Sequence, residues 1–160
     1  GQLYTGCNGI AGEIGHMVIK KDGEPCNCGR RGCLEAYASA SSLVKFAHRA
    51  MDAGRESSLR ENGPDLNAKH ICDAVDVGDA LACELFEEYC DNLACGLASL
   101  INIFQPECIV LGGGLAGYGE KLLRPLRERI ERETFRGDRN TVLTAASLGN
   151  DAGLVGAAML

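Results

Sequence analysis

The sequence predicts an α/β fold in which two strands pair in parallel and helices pack against them. Two observations lead to this prediction. In the second half of the chain, helical segments alternate with two short runs rich in β-branched residues, and a glycine turn follows the first run. In the first half, four potential metal ligands lie within one glycine-rich segment, 16–35. Their close spacing predicts an inserted metal-binding loop.

The composition is that of one folded domain. The chain has 160 residues, of which 46% are hydrophobic and 24% charged, which is enough to bury a core. Its net charge of −6 argues against nucleic acid or an anionic membrane as a partner, because phosphate binding relies on clustered Lys and Arg. We find no signal peptide, and the longest apolar stretch, 93–104, is interrupted, so we expect no membrane span.

The first third of the chain is predicted to hold two short β segments and a helix. Residues 2–6 resemble the end of a strand or hairpin, and 16–20 alternates as a short strand does. A helix capped near Ser39 or Ser41 then runs to about Ala50, with apolar residues at helical spacing.

The middle of the chain predicts a loop and two helices. The polar segment 54–66 has low helical tendency, and Asn67 is a suitable cap for a helix that runs through Val75. Asp79 precedes the longest helix, which ends near Phe104. Its apolar repeat falls at positions 82, 86, 90, 93, 97, 101 and 104. Further apolar residues flank this repeat, so we expect the helix to be buried on most sides.

The last third predicts strands over 107–111 and 141–145, and helices over 119–134 and 148–160. The helix over 119–134 has four large apolar residues on one face. The order of these segments is the basis of the predicted parallel pairing.

The cysteine usage indicates a reducing compartment. The chain has nine cysteines, an odd number. Five of them lie among apolar residues, where cysteine behaves as a small buried side chain: Cys72, Cys83, Cys90, Cys95 and Cys108. A secreted disulfide scaffold would place its cysteines in the loops of a shorter chain. We therefore predict that the protein is cytoplasmic.

Four residues have the composition of a zinc site. His16, Cys26, Cys28 and Cys33 fall within eighteen positions, in a loop with several glycines. Three cysteines and one histidine are typical of tetrahedral structural zinc, because four protein ligands leave no open position for water. The alternative is a loop of reduced thiols without a metal.

Two glutamates, Glu13 and Glu35, flank these ligands. An ion bound to His16 and Cys33 would bring both carboxylates close to the imidazole. Carboxylates accept strong hydrogen bonds from hydroxyl groups, and one imidazole nitrogen can hold zinc while the other contacts a ligand hydroxyl. The alternative is that Glu13 caps a turn and Glu35 occupies the first turn of a helix, where the dipole favours an acid. Spacing alone does not decide between them.

A glycine turn follows the first predicted strand of the last third. Gly112, Gly113 and Gly114 would let the backbone approach a flat ring or a phosphate without a Cβ clash. The turn lacks the lysine of a P-loop and the spacing of a dinucleotide fingerprint. On spacing alone it is equally a plain connection.

Two motifs together resemble the signature of the ROK family, which comprises bacterial sugar kinases, open reading frames and repressors. They are Gly-Glu-Ile-Gly-His at 12–16 and Cys-Asn-Cys-Gly-Arg-Arg-Gly-Cys-Leu-Glu at 26–35. The resemblance is dense over 1–40 and returns at 109–116 and 148–158. The pair Asn-Gly that precedes the first motif is most similar to the glucokinase branch.

The resemblance implies that residues 1–160 are the C-terminal lobe of an actin/hexokinase-type, ribonuclease H-like ATPase fold. It assigns the zinc and sugar contacts to 16–35 and the adenosine side to 107–160. The implied ligands of structural zinc are His16, Cys26, Cys28 and Cys33. The implied contacts to sugar hydroxyls are Glu13, His16 and Glu35. The implied adenosine-binding turn is Gly112, Gly113 and Gly114.

Two motifs of the kinases in that family are not found in this sequence. One is the Asp-Gly-Gly-Thr-Lys phosphate loop, and the other is an Asn-Asp pair whose Asp is the catalytic base. Asn150-Asp151 does not replace this pair, since it is the expected cap of the last helix and the family's base precedes the zinc loop. We therefore expect the N-terminal lobe, the catalytic base and the use of ATP with Mg²⁺ to require a longer chain.

The favoured hypothesis is the C-terminal domain of an ATP-dependent glucokinase that phosphorylates the 6-hydroxyl of a hexose and forms a homodimer. The alternative is the sugar-sensing effector domain of a ROK transcriptional repressor. A third possibility is a zinc-stabilised binding module without chemistry. Glucose, N-acetylmannosamine, fructose and allose all remain open as the sugar.

Overall fold

The computed structural model describes residues 2–137 and 140–159. The α-helices are α1 (Glu35–Ala38), α2 (Ala40–Asp52), α3 (Ala68–Asp76), α4 (Ala80–Phe104), α5 (Glu120–Glu133) and α6 (Ala152–Ala158). The strands are β1 (Cys108–Leu111) and β2 (Val142–Ala145). Short 3₁₀ helices cover Ile14–His16, Ser58–Asp65, Gly114–Tyr118 and Gly149–Asp151. This is the mixed α/β architecture that the sequence predicts.

The two strands pair in parallel, as predicted, and α5 connects them. Cys108 lies opposite Val142, and Leu111 lies opposite Ala145. Parallel strands need a long crossover, and the helix that supplies it packs against β2.

Side-chain caps fix where three of the helices begin. The Ser39 hydroxyl accepts a hydrogen bond from the Ser42 N–H at 3.0 Å, and the Ser42 hydroxyl accepts one from the Ser39 N–H. Asn67 caps α3 by accepting from two backbone N–H groups. Asp79 caps α4 by accepting from the Ala82 N–H at 3.0 Å. The predicted caps Ser39 and Asn67 are confirmed, and Asp79 is a third cap that was not predicted from the sequence. Each satisfies N–H groups that the first turn of a helix leaves without partners.

The hydrophobic core surrounds α4, which contacts α1, α2, α3 and α5. The largest fully buried aliphatic side chains come from α4 itself, from α2, α3 and α5, and from the 3₁₀ helix Ser58–Asp65: Leu43, Leu59, Ile71, Leu81, Leu122 and Leu126. Burying each such side chain contributes about 2 kcal/mol. The predicted burial of α4 on most sides is therefore confirmed.

Several local predictions in the first half are wrong. Residues 16–20 form no strand: Ile14–His16 is a 3₁₀ helix, and Val18 makes only an isolated antiparallel bridge with Cys33. Residues 2–6 are irregular rather than part of a strand. The predicted loop 54–66 contains the 3₁₀ helix Ser58–Asp65. Alternating side chains indicate a strand only where a partner runs alongside for several residues, and here the partner turns away into the metal loop.

Other differences concern exposed side chains and the last helix. Phe104, at the end of the apolar repeat of α4, is 64% exposed, and Cys108 is exposed rather than buried. The last helix is shorter than predicted, and its N-cap residue Asp151 makes no side-chain capping bond. Leu160 lies outside the described residues.

Of the helices in the described ranges, none is both long enough and apolar enough to cross a bilayer.

Candidate metal centre and its acidic neighbours

The structure brings the four potential metal ligands together. The imidazole of His16 and the thiols of Cys26, Cys28 and Cys33 place one ligand atom each within 4.8 Å of all the others. Cys33 is buried, whereas Cys28 is exposed, so the cluster lies at the edge of the domain.

The distances within the cluster fit tetrahedral zinc. His16 Nδ1 lies 3.6 Å from Cys26 Sγ, and Cys28 Sγ lies 3.6 Å from Cys33 Sγ. For zinc bonded at about 2.3 Å to sulfur and about 2.1 Å to nitrogen, adjacent ligand atoms are roughly 3.5–3.8 Å apart. Because Nδ1 faces the thiols, Nε2 is the nitrogen left for another contact.

Glycines shape the loop that carries the thiols. Gly29 and Gly32 both have positive φ, near +84° and +80°, which residues with a Cβ adopt at a cost. A Cβ at Gly32 would also overlap the Lys20 carbonyl oxygen. The Cys26 N–H donates to the Arg30 carbonyl oxygen at 2.9 Å and closes the loop 26–30, which contains Cys28.

The environment of two of the thiols differs. Hydrogen bonds from the Arg30 backbone and side chain lower the pKa of Cys28 to about 6. Burial raises the pKa of Cys33 to about 11, assisted by the neighbouring sulfurs. A bound metal ion would deprotonate both, since thiolates are the ligand form.

The acids that flank the cluster lie beside the imidazole. Glu13 Oε2 is 4.0 Å from His16 Nε2, and the Glu13 side chain is 73% exposed. Glu13 precedes the 3₁₀ helix Ile14–His16 without a capping hydrogen bond from its side chain, so a purely capping role has no contact to support it. Glu35 is the exposed first residue of α1. A Cβ at Gly15 would lie 3.4 Å from Glu35 Oε2, so Glu35 reaches the same turn.

Sequence reasoning did not single out Glu24, which ties the metal loop to α2. Its carboxylate accepts hydrogen bonds from the two terminal nitrogens of the Arg49 guanidinium, at 2.8 and 3.0 Å, and from Lys45 Nζ at 3.2 Å. The hydrogen bond from Arg49 is the largest reason why the pKa of Glu24 falls to about 2. These partners lie 21 and 25 positions along the chain, so no local spacing reveals them.

The glycine turn lies after β1, as the sequence indicates. Gly113 has a φ of +86°, and Cβ atoms placed at Gly112, Gly113 or Gly114 would meet no other atom within 4 Å. The turn leads into the 3₁₀ helix Gly114–Tyr118 before α5 begins. Its backbone is therefore open to a ligand.

A cavity of about 450 Å³ opens beside this turn, between α3 and the start of α5. It is lined by Lys69, Cys72, Asp73, Asp76, Gly114, Leu115, Gly117, Tyr118 and Lys121. Its charged groups are paired: Lys69 Nζ lies 2.7 Å from Asp73, and Lys121 Nζ lies 2.7 Å from Asp76. The Tyr118 hydroxyl also donates to Asp76 at 2.6 Å. Donation from Lys121 and Tyr118 lowers the pKa of the Asp76 carboxyl.

The family model that describes the ROK family matches residues 1–160. The chain belongs to the ROK family. Its relatives include the glucokinase of Halalkalibacterium halodurans, with 38% identity over all of this chain and 50% of that protein, and the glucokinase of Thermotoga maritima, with 39% identity over all of this chain and 52% of that protein. The chain thus spans about half the length of these relatives.

A solved ROK structure has the same fold. The ROK family glucokinase from Streptomyces griseus, in complex with glucose and AMPPNP, has 36% identity and a TM-score of 0.86 over 99% of this chain and 53% of that one.

Repressors of the ROK family are also similar. The N-acetylglucosamine repressor of Escherichia coli has 31% identity over 98% of this chain and 38% of that protein. A ROK family transcriptional regulator has 28% identity and a TM-score of 0.75 over 89% of this chain and 36% of that one. Membership of the ROK family therefore does not by itself distinguish a kinase from a regulator.

Proposed function

We propose that this chain is the C-terminal lobe of an ATP-dependent ROK sugar kinase, of the glucokinase type, that phosphorylates the 6-hydroxyl of a hexose. The observation that carries the proposal is the convergence of Glu13, His16 and Glu35 beside a metal-ligand cluster. In this proposal the lobe has the actin/hexokinase-type, ribonuclease H-like fold, with residues 16–35 as its zinc loop.

The four clustered residues fit a structural zinc ion. The soft thiolates, the neutral imidazole and the 3.6 Å separations suit zinc, and four protein ligands exclude a metal-bound water. Bound zinc would supply rigidity: it would fix His16 through Nδ1 and hold the loop in register with α1. No step of the reaction needs to pass through it.

The imidazole and the two acids would bind sugar hydroxyls. A hydroxyl oxygen placed between His16 Nε2 and Glu13 Oε2, which are 4.0 Å apart, can reach both within hydrogen-bond distance. It would accept from the imidazole N–H and donate to the carboxylate. Glu35 would accept from a neighbouring hydroxyl, so the ring would be oriented by paired contacts and its reacting hydroxyl held in place.

The cavity beside Gly112, Gly113 and Gly114 would receive the nucleoside half of ATP. Both of its lysines are already neutralised by carboxylates, so it suits an uncharged group better than a triphosphate. The glycines would let the chain approach the nucleoside closely. The phosphates and Mg²⁺ would be held with the help of the other lobe, which would also supply the base for the acceptor hydroxyl.

The effector domain of a sugar-sensing repressor is the second candidate, favoured by the similarity to the N-acetylglucosamine repressor. Sugar contacts from Glu13, His16 and Glu35 would serve it equally. The two candidates differ in what the other half of the protein carries: a phosphate loop and a base in a kinase, and a DNA-binding segment in a repressor.

Whichever candidate holds, we propose a cytoplasmic homodimer, consistent with nine free thiols and with exposed apolar side chains such as Phe104.

A coupled assay of the full-length protein with ATP and a panel of hexoses tests the proposal. We expect phosphorylation of glucose in preference to N-acetylmannosamine, fructose and allose. Hexose binding without phosphorylation would favour the repressor. Absence of both would leave only the zinc-stabilised binding module.

A further inference from the structure

Glu24 connects the metal loop to the helices by side chain and backbone together. Its carboxylate accepts hydrogen bonds from the two terminal guanidinium nitrogens of Arg49 and from the ammonium group of Lys45. Both of these residues lie on α2. Its N–H donates to the Tyr37 hydroxyl oxygen of α1 at 2.6 Å, and its carbonyl oxygen accepts from the Gly32 N–H at 2.8 Å. One residue therefore contacts both helices and both sides of the loop.

The packing around Glu24 leaves little freedom to this arrangement. A Cβ at the preceding Gly23 would overlap the Tyr37 hydroxyl oxygen, so the turn closes directly onto the ring. The Glu24 side chain is only 22% exposed, and Arg49 lies over the Phe46 ring at 5.5 Å. A bidentate pair between a half-buried carboxylate and a guanidinium that is held in place has a fixed geometry.

A metal ion on the four ligands would hold the loop together and, through Cys33, hold it to the start of α1, but it would not attach Cys26 and Cys28 to α2. That attachment matters because the loop and the helix carry different parts of the proposed hexose site. His16 contacts Cys26 of the loop, whereas Glu35 belongs to α1. Between the loop and the helices lies a crevice of about 150 Å³, with Asn27 on one side and Glu35 on the other. Lys45, which binds the Glu24 carboxylate, lines the same crevice.

We propose that Glu24 is a positioning residue for the hexose site: by holding the metal loop against α1 and α2, it acts together with the metal to fix the distance between His16 and Glu35. It touches neither the sugar nor the metal. This role rests on the proposed function, since it presumes that His16 and Glu35 bind one hexose.

The test compares Glu24→Gln with Arg49→Lys in the zinc-loaded, full-length protein. The glutamine keeps the size of the side chain but loses its charge, and the lysine keeps a charge but loses the paired geometry. Glu84→Gln is the matched control, because Glu84 forms a similar bidentate pair with Arg55 on an exposed part of α4, away from the loop. We measure KM and kcat for glucose, zinc content, and hydrogen exchange of the amides in 21–32.

We expect Glu24→Gln to raise the glucose KM roughly fivefold to thirtyfold, with kcat within twofold and zinc retained. Arg49→Lys should shift KM in the same direction by less, and Glu84→Gln should leave KM unchanged. A glucose KM in Glu24→Gln equal to that of the wild type overturns the proposal. If the wild type binds glucose without phosphorylating it, the glucose Kd replaces KM, and an unchanged Kd in Glu24→Gln overturns the positioning role. If the wild type neither binds nor phosphorylates a hexose, the proposed function fails and the positioning role fails with it.

Discussion

Leu34 packs directly against Gly96, at the crossing of α1 and α4. A Cβ at Gly96 would lie 2.6 Å from Leu34 Cδ2, closer than real side chains approach. Both residues are buried, and Leu34 immediately precedes Glu35. The position of Glu35, a proposed sugar-binding residue, thus depends on the absence of a side chain at Gly96, 61 positions later in the chain.

Gly96→Ala should therefore weaken both the fold and hexose binding. Alanine gains about 1 kcal/mol in helix propensity, but overpacking against Leu34 costs about 1–3 kcal/mol, so we expect a net loss of stability. The displaced Leu34 would also shift Glu35 and raise the KM for glucose. Urea unfolding and steady-state kinetics measure the two effects. Gly156→Ala, on α6 with open space around its Cβ, is the control and should not be destabilised.

Cys28→Ser should lower the stability of the domain and not only its affinity for sugar. The substitution removes one of four ligands of the proposed structural zinc, whose binding free energy contributes to folding. We expect a lower melting temperature together with substoichiometric zinc, by calorimetry and elemental analysis. A variant that loses its metal yet melts as the wild type does would contradict a structural role.

Glu35→Gln in the full-length protein should raise the KM for hexose tenfold or more, since a neutral amide replaces a charged acceptor of hydroxyl hydrogen bonds (roughly 1.5–3 kcal/mol). Because Glu35 is exposed, the free energy of unfolding should change little. Glu61→Gln, an exposed acid in the helix Ser58–Asp65, serves as the control for steady-state kinetics. Unaltered kinetics in Glu35→Gln would remove this residue from the site.

Asp79 should make stability depend on pH in the acid range. Burial alone would raise the pKa of its carboxyl, but hydrogen bonds from Ala82, Ser58 and Ser57 outweigh it and lower the pKa from 3.8 to about 2. The folded protein therefore binds this proton less readily than the unfolded chain does. The resulting stabilisation is complete above about pH 4 and is lost as the pH falls towards 2.

Urea unfolding of the wild type and of Asp79→Asn at several pH values checks this. Asparagine keeps a capping oxygen but has no carboxyl to titrate. We expect the wild type to be more stable at pH 7 and the difference to shrink below pH 4. A difference that stays constant from pH 7 to pH 3 would show that Asp79 contributes no pH-dependent stability.

Local patterns predicted the elements whose causes are local. The predicted caps Ser39 and Asn67 contact backbone groups two or three residues away, so their residue type and position in the sequence suffice. The apolar repeat of α4 predicted its burial because neighbouring helices cover most of the repeat. The four metal ligands lie within one short loop, which can bring them together without help from the rest of the chain.

Long-range contacts could not be predicted in this way. The pairing of Glu24 with Arg49 joins positions 25 residues apart with no common spacing. The helical periodicity of α4 wrongly predicted that Phe104 is buried. An apolar residue at a position of the repeat is buried only if another element covers it, and the repeat does not show whether one does. The segment 16–20 alternates as a strand does, but it lacks a continuous neighbour to pair with.

The parallel pair of β1 and β2 has a practical consequence for handling this polypeptide. In the described part of the chain the sheet has two strands of four residues, and Val110 and Val142 are 58% and 57% exposed. So small a parallel sheet is marginal alone, and its free edges can template further strands. We expect the 160-residue polypeptide, when expressed alone, to self-associate at high concentration, and co-expression with the other lobe of the proposed kinase to suppress this.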